Sequence, residues 1–355
     1  MIARKLALRS YRSYASLELD LEPGIVLAVG PNGAGKTNLL ESLHVAAQGF
    51  SPRTRSDAQL IRFGEEGARI AVEGEHGGSP VAVEVMLRIG EAKRARLNGA
   101  PLRAAEELRS RLPVLVFTPD RLAVVKGGPA VRRAYFDRTL GRVFPSRAAA
   151  PLEYAAALAQ RNAGLRRLAA GESTQEALEP WTQRVAELGA VLVAARREVV
   201  ELLAAAFAEI TSELRLGQGE LRYEGEPPTA TELEQRLRQD LLRGSTGAGP
   251  HLHDVAVGVE GRDLRNFGSQ GEQRLAVLSL LLAEAGLLAE RGNATPLLLL
   301  DDVLSELDPD RRAILTDRLR SAGGQSLLTA TTAGALPAAP DELVEVEPGK
   351  ARRAA

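Results

Sequence analysis

Gly30-Pro31-Asn32-Gly33-Ala34-Gly35-Lys36-Thr37 is the stretch on which the reading of the fold turns. It fits the pattern G-x-x-x-x-G-K-[ST], with the apolar run 24–29 ahead of it and a helical pattern over residues 35–47 behind it. Glycines at these positions let consecutive backbone N–H groups turn inward around a β-phosphate, and the N-terminus of the following helix adds its dipole. Lys36 then reaches the β- and γ-phosphates, and the Thr37 hydroxyl is placed to ligate Mg²⁺. The loop residues Gly30, Pro31, Asn32, Gly33, Ala34 and Gly35, with Asn38 beyond them, are the expected nucleotide contacts. An ordinary glycine turn would explain the glycines but neither the lysine nor the flanking strand and helix. The segment reads as a nucleotide site.

A second element belongs with it. Leu297-Leu298-Leu299-Leu300-Asp301-Asp302 is an apolar strand ending in two acids. Carboxylates at the C-terminal end of a parallel strand lie where ligands bind in such sheets. Asp301 is expected to hold Mg²⁺ through water, and Asp302 to orient or deprotonate the attacking water. Alone the pair could cap a helix; beside a phosphate loop it reads as catalytic. Before that strand, Phe267-Gly268-Ser269-Gln270-Gly271-Glu272-Gln273-Arg274 opens a long apolar helical pattern. A hydroxyl and amides at a helix N-terminus suit a γ-phosphate, although a plain serine N-cap accounts for Ser269 taken by itself.

The 355 residues are 45% hydrophobic, enough for a sizeable core and two domains. A formal net charge of −1 gives no global field to attract nucleic acid, so any DNA contact must be local. The absence of cysteine excludes disulfides and cysteine-ligated metals. Met1–Ser10 lacks a signal-peptide core and no apolar run reaches the roughly 18 residues of a membrane span, so a soluble, cytoplasmic protein is expected. Only Lys5, Lys36, Lys93, Lys126 and Lys350 are lysines among 45 basic residues. Against that arginine bias, the lysine of the phosphate loop stands out.

Period-two patterns suggest strands at 2–9, 15–21, 69–75, 80–88 and 113–118. From Pro119 the texture becomes helical, most clearly over 151–170 and 174–216. In the second, Trp181, Val185, Leu188, Leu192, Val199, Leu202 and Leu203 lie near helical spacing. The glycine-rich stretch 244–250 reads as a flexible loop. Alternation returns with strands at 253–259, 297–301 and 326–330 and helices from Ser269 and Asp308. The expected class is α/β: a mixed sheet with flanking helices over 1–118 and 251–355, interrupted by a mostly α-helical lobe over 119–250.

Taken in order, these elements resemble an ABC-type P-loop ATPase head. Ser269 to Gln273 resembles the ABC signature, whose transporter form is Leu-Ser-Gly-Gly-Gln, and Ser305-Glu306-Leu307-Asp308 resembles the D-loop. Further matches narrow the resemblance to the RecF family, relatives of SMC heads. They are Leu8-Arg9-Ser10-Tyr11-Arg12-Ser13-Tyr14, Lys36-Thr37-Asn38-Leu39-Leu40-Glu41, Ser51-Pro52-Arg53-Thr54-Arg55, Lys126-Gly127-Gly128-Pro129 with Arg132-Arg133, and Asp301 through Asp308. The interval from Thr37 to Ser269 is too short for the long coiled coil of SMC proteins.

The resemblance implies an ATP-dependent homodimer. ATP and Mg²⁺ would sit between the cradle of one copy and Ser269, Gly271, Gln273 and Asp308 of the other. It implies binding of double-stranded DNA and single-strand/double-strand junctions, and work with RecR and RecO to load RecA at gaps in DNA repair, replication recovery and the SOS response. Weak, DNA-stimulated hydrolysis would release the clamp, in a cytoplasmic, nucleoid-associated setting. Two departures stand out: Asp302 occupies a position where transporters usually carry glutamate, and no histidine follows 326–330, leaving Thr331 or Thr332 in the switch position. No glutamine near Thr118 resembles the coupling Q-loop. For DNA, Arg53, Arg55, Arg94, Arg132 and Arg133 are the candidates, with Arg62, Lys93, Arg96 and Lys126 in the same clusters; an internal ion pair is the competing role for each. Tyr11 and Tyr14 are expected to fill a sheet surface rather than stack on bases. A transporter subunit would need the better-formed signature, the histidine and the Q-loop, and a monomeric P-loop kinase would leave the signature and D-loop elements without a use.

Overall fold

The computed structural model describes residues 1–292 and 295–354. The chain divides into two compact units, Met1–Arg121 with Glu213–Arg215 and Leu278–Ala355, and Leu122–Ser212 with Leu216–Val277. The sequence boundaries at 118 and 250 and these units therefore assign residues 119–121, 213–215 and 251–277 differently.

The first unit holds two six-stranded sheets. One is antiparallel, in the order Tyr14–Asp20, Ile2–Tyr11, Gly67–His76, Ser79–Arg88, Arg94–Leu97, Ala100–Pro101. The other places Ile25–Val29, Ser326–Ala330, Leu297–Leu300 and Val114–Phe117 side by side in parallel. Three of these four strands are buried at every residue, as a parallel sheet covered on both faces requires. A C-terminal hairpin, Glu342–Glu347 and Lys350–Arg353, completes that sheet on the Ile25–Val29 side. Helix Lys36–Gln48 touches strands of both sheets. Every residue from Leu39 to Gln48 is buried, including Glu41, Ser42, His44 and Gln48. A helix covered on all sides loses its polar face, and its polar groups need partners inside the protein.

The second unit carries helices Pro129–Val143, Ala150–Ala169 and Glu179–Glu213, the last continuing to the edge of the first unit. It also contains an antiparallel sheet of Gly219–Glu224, Asp254–Val259 and Arg262–Asp263. Gly217 and Gly219, which read as helix breakers, lead into the first of those strands. On the long helix the buried stripe follows Thr182, Val185, Gly189, Leu192, Val199, Leu203, Phe207 and Ile210. Trp181, expected inside, lies one residue off that stripe and is 39% exposed. The loop 244–250, expected to be flexible, is tied down. Arg161, fully buried, donates to Asp240 Oδ2 (2.8 Å), to Thr246 Oγ1 (2.6 Å), to Thr182 Oγ1 (3.2 Å) and to the Leu233 carbonyl (3.2 Å). Asn162 accepts from the Thr246 N–H, and Asp240 Oδ1 from that of Gly247. One guanidinium thus pins two helices and the loop. Among the described residues no helix is long and apolar enough to cross a membrane.

Removing one partner of a buried ion pair leaves the other charge without compensation. Asp240→Ala is therefore expected to destabilise the helical unit by about 3–5 kcal/mol, read from urea unfolding followed by the fluorescence of Trp181.

Candidate nucleotide-binding and catalytic site

The glycine-rich loop leaves the C-terminal end of strand Ile25–Val29 and enters helix Lys36–Gln48 at Gly35. Two of its glycines are dictated by local space. A Cβ on Gly30 would lie 2.1 Å from the Val346 carbonyl oxygen, on the C-terminal hairpin that sequence reasoning did not find. Gly35 has φ 113°, and a Cβ there would meet Ser13 Oγ at 2.9 Å and the Tyr14 hydroxyl at 3.0 Å. Tyr14, fully buried like Tyr11, donates its hydroxyl proton to the Gly35 carbonyl (3.1 Å). Both tyrosines serve the protein interior rather than an exposed stacking surface.

The Lys36 ammonium folds back on its own loop, donating to the carbonyls of Gly30 (2.7 Å) and Pro31 (3.0 Å). Burial lowers its pKa, and the charges of Asp302 and Asp301 counter that effect. Of the two acids whose charge acts on this ammonium, Asp301 is buried and Asp302 exposed. Asp301 accepts hydrogen bonds on Oδ1 from Thr37 Oγ1 (3.1 Å) and Thr329 Oγ1 (2.8 Å). Burial raises its pKa, and the two hydroxyl donors work the other way. A hydroxyl and a desolvated carboxylate are the hard oxygen donors Mg²⁺ takes when phosphate oxygens and water complete its shell. Thr37 and Asp301 fit that ion.

Thr329 was not singled out from the sequence. It is a polar residue of the buried strand Ser326–Ala330, one step beyond the pairing of Leu300 with Leu328. Its hydroxyl donates to Asp301 and accepts from the Asp302 N–H (2.8 Å), so a single side chain sets both acids. Asp302 itself has φ 52° and ψ 25°, in the left-handed region. A threonine inside an apolar run was the available signal. Thr331, expected near the γ-phosphate, lies exposed just beyond the strand.

Helix Lys36–Gln48 is locked from the opposite side. Buried Glu41 receives both arms of Arg12 (2.9 Å each), the hydroxyl of Ser51 (2.5 Å) and an ion pair with Arg53 (3.5 Å). Asn38 donates to Ser13 Oγ (3.0 Å) and accepts from Arg53 (3.1 Å).

Ser269, Gly271 and Gln273 lie in the second unit and the phosphate loop in the first. Ser269 and Glu272 form a capping box: the Ser269 N–H donates to Glu272 (2.7 Å) and the Glu272 N–H to Ser269 Oγ (3.3 Å). Ser269 and Gly271 are exposed. Gln273 is 5% exposed, its amide donating to the carbonyls of Leu264 (2.9 Å) and Gly268 (3.2 Å). Its side chain ties the turn that precedes the helix. Asp308 is the N-cap of helix Pro309–Ser321, accepting from the Arg311 N–H (2.9 Å).

The basic candidates separate. Arg132 is 3% exposed, holds Asp254 through both arms, and also donates to the carbonyls of Val125 and Gly127. Arg132 is an interior residue committed to a half-buried carboxylate. Arg133 donates to the His253 carbonyl (2.6 Å). Arg94 pairs with Glu91 (2.9 Å), Lys93 with Asp57 (3.1 Å) and Arg96 with Glu84 (3.8 Å). Arg53 is half committed to Glu41, and Arg55 and Lys126 are exposed.

The chain as a whole is similar to proteins already known. The model of the RecF/RecN/SMC N-terminal domain matches residues 2–353. The "DNA replication and repair protein RecF" of Heliobacterium modesticaldum is 37% identical over 344 residues, covering 93% of this chain and 92% of that protein. Its namesake from Chloroflexus aurantiacus is 38% identical, with 93% of each covered. The solved "recombination mediator protein RecF-ATP in RecFOR pathway" superposes with a TM-score of 0.87 at 27% identity, over 99% of this chain and 97% of that one. An SMC head from Pyrococcus furiosus shares the fold, with a TM-score of 0.60 at 17% identity over 99% and 95% of the two chains.

Thr329→Val keeps the shape of the side chain and removes its hydroxyl. The expected result is roughly tenfold slower nucleotide hydrolysis and weaker Mg²⁺ dependence of nucleotide binding, from a lost hydrogen bond to a charged group. Thr329→Ser restores both. Titrations with Mg²⁺ and with chelator, beside steady-state hydrolysis, check this.

Proposed function

Because this chain belongs to the RecF family of RecF/RecN/SMC proteins, we propose that it is an ATP-gated DNA clamp acting as a recombination mediator. As a RecF-type DNA replication and repair protein it carries the ABC-type ATPase fold. ATP binds with its β-phosphate in the loop Gly30–Gly35 and its γ-phosphate at Lys36. Thr37 and, through water, Asp301 would hold Mg²⁺, which would supply Lewis-acid neutralisation of the phosphate charge. Asp302 orients the attacking water and draws off its proton. Ser269 and Gly271 of a second copy close on the γ-phosphate, so the nucleotide stabilises a homodimer that neither chain forms well alone.

The observation that carries this reading is the Thr37–Asp301–Thr329 cluster, which assembles a metal-ready carboxylate beside the lysine of the phosphate loop. It uses residues of the first unit alone, while the signature serine belongs to the second. The closed dimer holds duplex DNA or a single-strand/double-strand junction, and hydrolysis reopens it. Arg55 and Lys126, exposed and basic, are the better-placed of the DNA candidates. RecR and RecO are the partners with which it promotes RecA loading, in the cytoplasm on the nucleoid. The shorter acid at Asp302 suits slow turnover.

Hydrolysis per molecule is expected to rise with protein concentration and with DNA, because two copies make each complete site. Lys36→Met abolishes ATP binding and pairing together. Ser269→Arg keeps ATP binding in the monomer and abolishes the ATP-dependent dimer seen by light scattering. Full specific activity at the highest dilution, or an unchanged dimer fraction in Ser269→Arg, overturns the clamp.

A further inference from the structure

The outward face of the antiparallel sheet carries side chains that the strand register sets side by side. Across five neighbouring strands one row reads Ser16, Arg9, Arg69, Met86, Arg94. Arg9 stands directly opposite Arg69, and like charges so paired cost an antiparallel sheet stability. Two residues along the same face, Gly67 stands opposite Arg88. The glycine has no side chain to fill the space there, and a Cβ on it would meet the Leu87 carbonyl oxygen at 2.8 Å. The result is a hollow of about 360 Å³ lined by Arg9, Arg69, Arg88 and Arg94, with half-buried Met86 among them.

Against these four arginines the lining holds a single carboxylate, Glu91, which takes Arg94 at 2.9 Å and Arg88 at 3.4 Å. Arg69 turns to Glu84 in the next row. Arg9 is exposed and has no acidic partner among the described residues. Ion pairs as exposed as these contribute little, so an incoming carboxylate replaces Glu91 at small cost. The planar guanidinium fork then receives it through two parallel hydrogen bonds. Arginine beside methionine is also the composition of an interface centre, where the soft thioether adapts to an apolar side chain.

We infer that this hollow docks an acidic segment of a partner protein, with its carboxylates on Arg9, Arg88 and Arg94 and an adjoining apolar side chain against Met86. Clusters of arginine are a recurrent means of reading acidic motifs. Duplex DNA fits less well. The neighbouring row of the same face lies only about 7 Å away, less than the roughly 12 Å width of a major groove, and it carries Glu18 and Glu84. The row after that carries Asp20 and Glu73. A duplex laid over the arginines would cover these acids as well, whereas a short peptide dipping into the hollow avoids them. None of the lining residues holds nucleotide or metal in the ATPase reading, so the two proposals stand or fall separately.

Fluorescence anisotropy of a labelled peptide rich in glutamate and leucine tests it, using the full chain and Arg9→Glu, Arg88→Glu and Arg96→Glu. The same peptide with glutamine for glutamate, and a DNA duplex, are the comparison probes. The acidic peptide should bind the parent and weaken with added salt, and the glutamine peptide should not bind. Arg9→Glu should bind it about tenfold more weakly, through loss of one charge-assisted contact. Because that exchange also removes the repulsion between Arg9 and Arg69, the variant should melt no lower than the parent. Arg88→Glu should weaken binding to a similar degree. Arg96→Glu, on the same face but outside the hollow, should keep it. A parent that does not bind the acidic peptide, or equal affinity in Arg9→Glu, overturns the docking site. So does a loss of duplex binding in Arg9→Glu as large as the loss of peptide binding, which would give the hollow to phosphates instead.

Discussion

The arrangement depends on one buried carboxylate. Asp301 stands where a parallel strand ends, takes a hydroxyl from the phosphate-loop helix and another from the neighbouring strand, and remains largely shut off from water. A desolvated acid is costly unless its lone pairs are filled. The two threonines fill part of that need and leave room for a cation. Residues 37, 301 and 329, far apart in the chain, must come together to within hydrogen-bond distance, and the parallel register of three strands is what brings them there.

Much of this could be read from sequence because its physics is local. A glycine-rich turn between a strand and a helix advertises itself in consecutive residues, and so do two aspartates after four leucines. Thr329 could not be read that way. Its role comes from a cross-strand register, which period-two patterns do not fix when a strand is buried on both faces. Glu41 was similarly hidden: an acid in the first turns of a helix reads as solvated, whereas here it is sealed in with Arg12, Ser51 and Arg53. The short strands Arg94–Leu97, Gly219–Glu224 and Glu342–Glu347 were missed because each is brief and mixes charged residues with few apolar ones.

Arginine abundance has a structural use beyond any codon bias. Arg132, Arg161 and Arg196 are each buried, and each meets an aspartate and backbone carbonyls at once. The planar fork satisfies several acceptors in different directions, which an ammonium could not do in the same space. The near-zero net charge itself comes from 46 acids against 45 basic residues, and many exposed arginines stand beside acids, as Arg4 does with Glu75 and Arg147 with Glu198.

The backbone at Asp302 bears on its chemistry. With φ at 52° and ψ at 25°, the corner between strand and turn favours residues that tolerate a left-handed twist, and aspartate and asparagine are foremost among those with a side chain. The short acid that distinguishes this chain from transporter ATPases is therefore favoured by conformation. Exchange of Asp302 for a residue that resists a left-handed backbone would then strain the bend itself, quite apart from any chemistry its carboxylate performs.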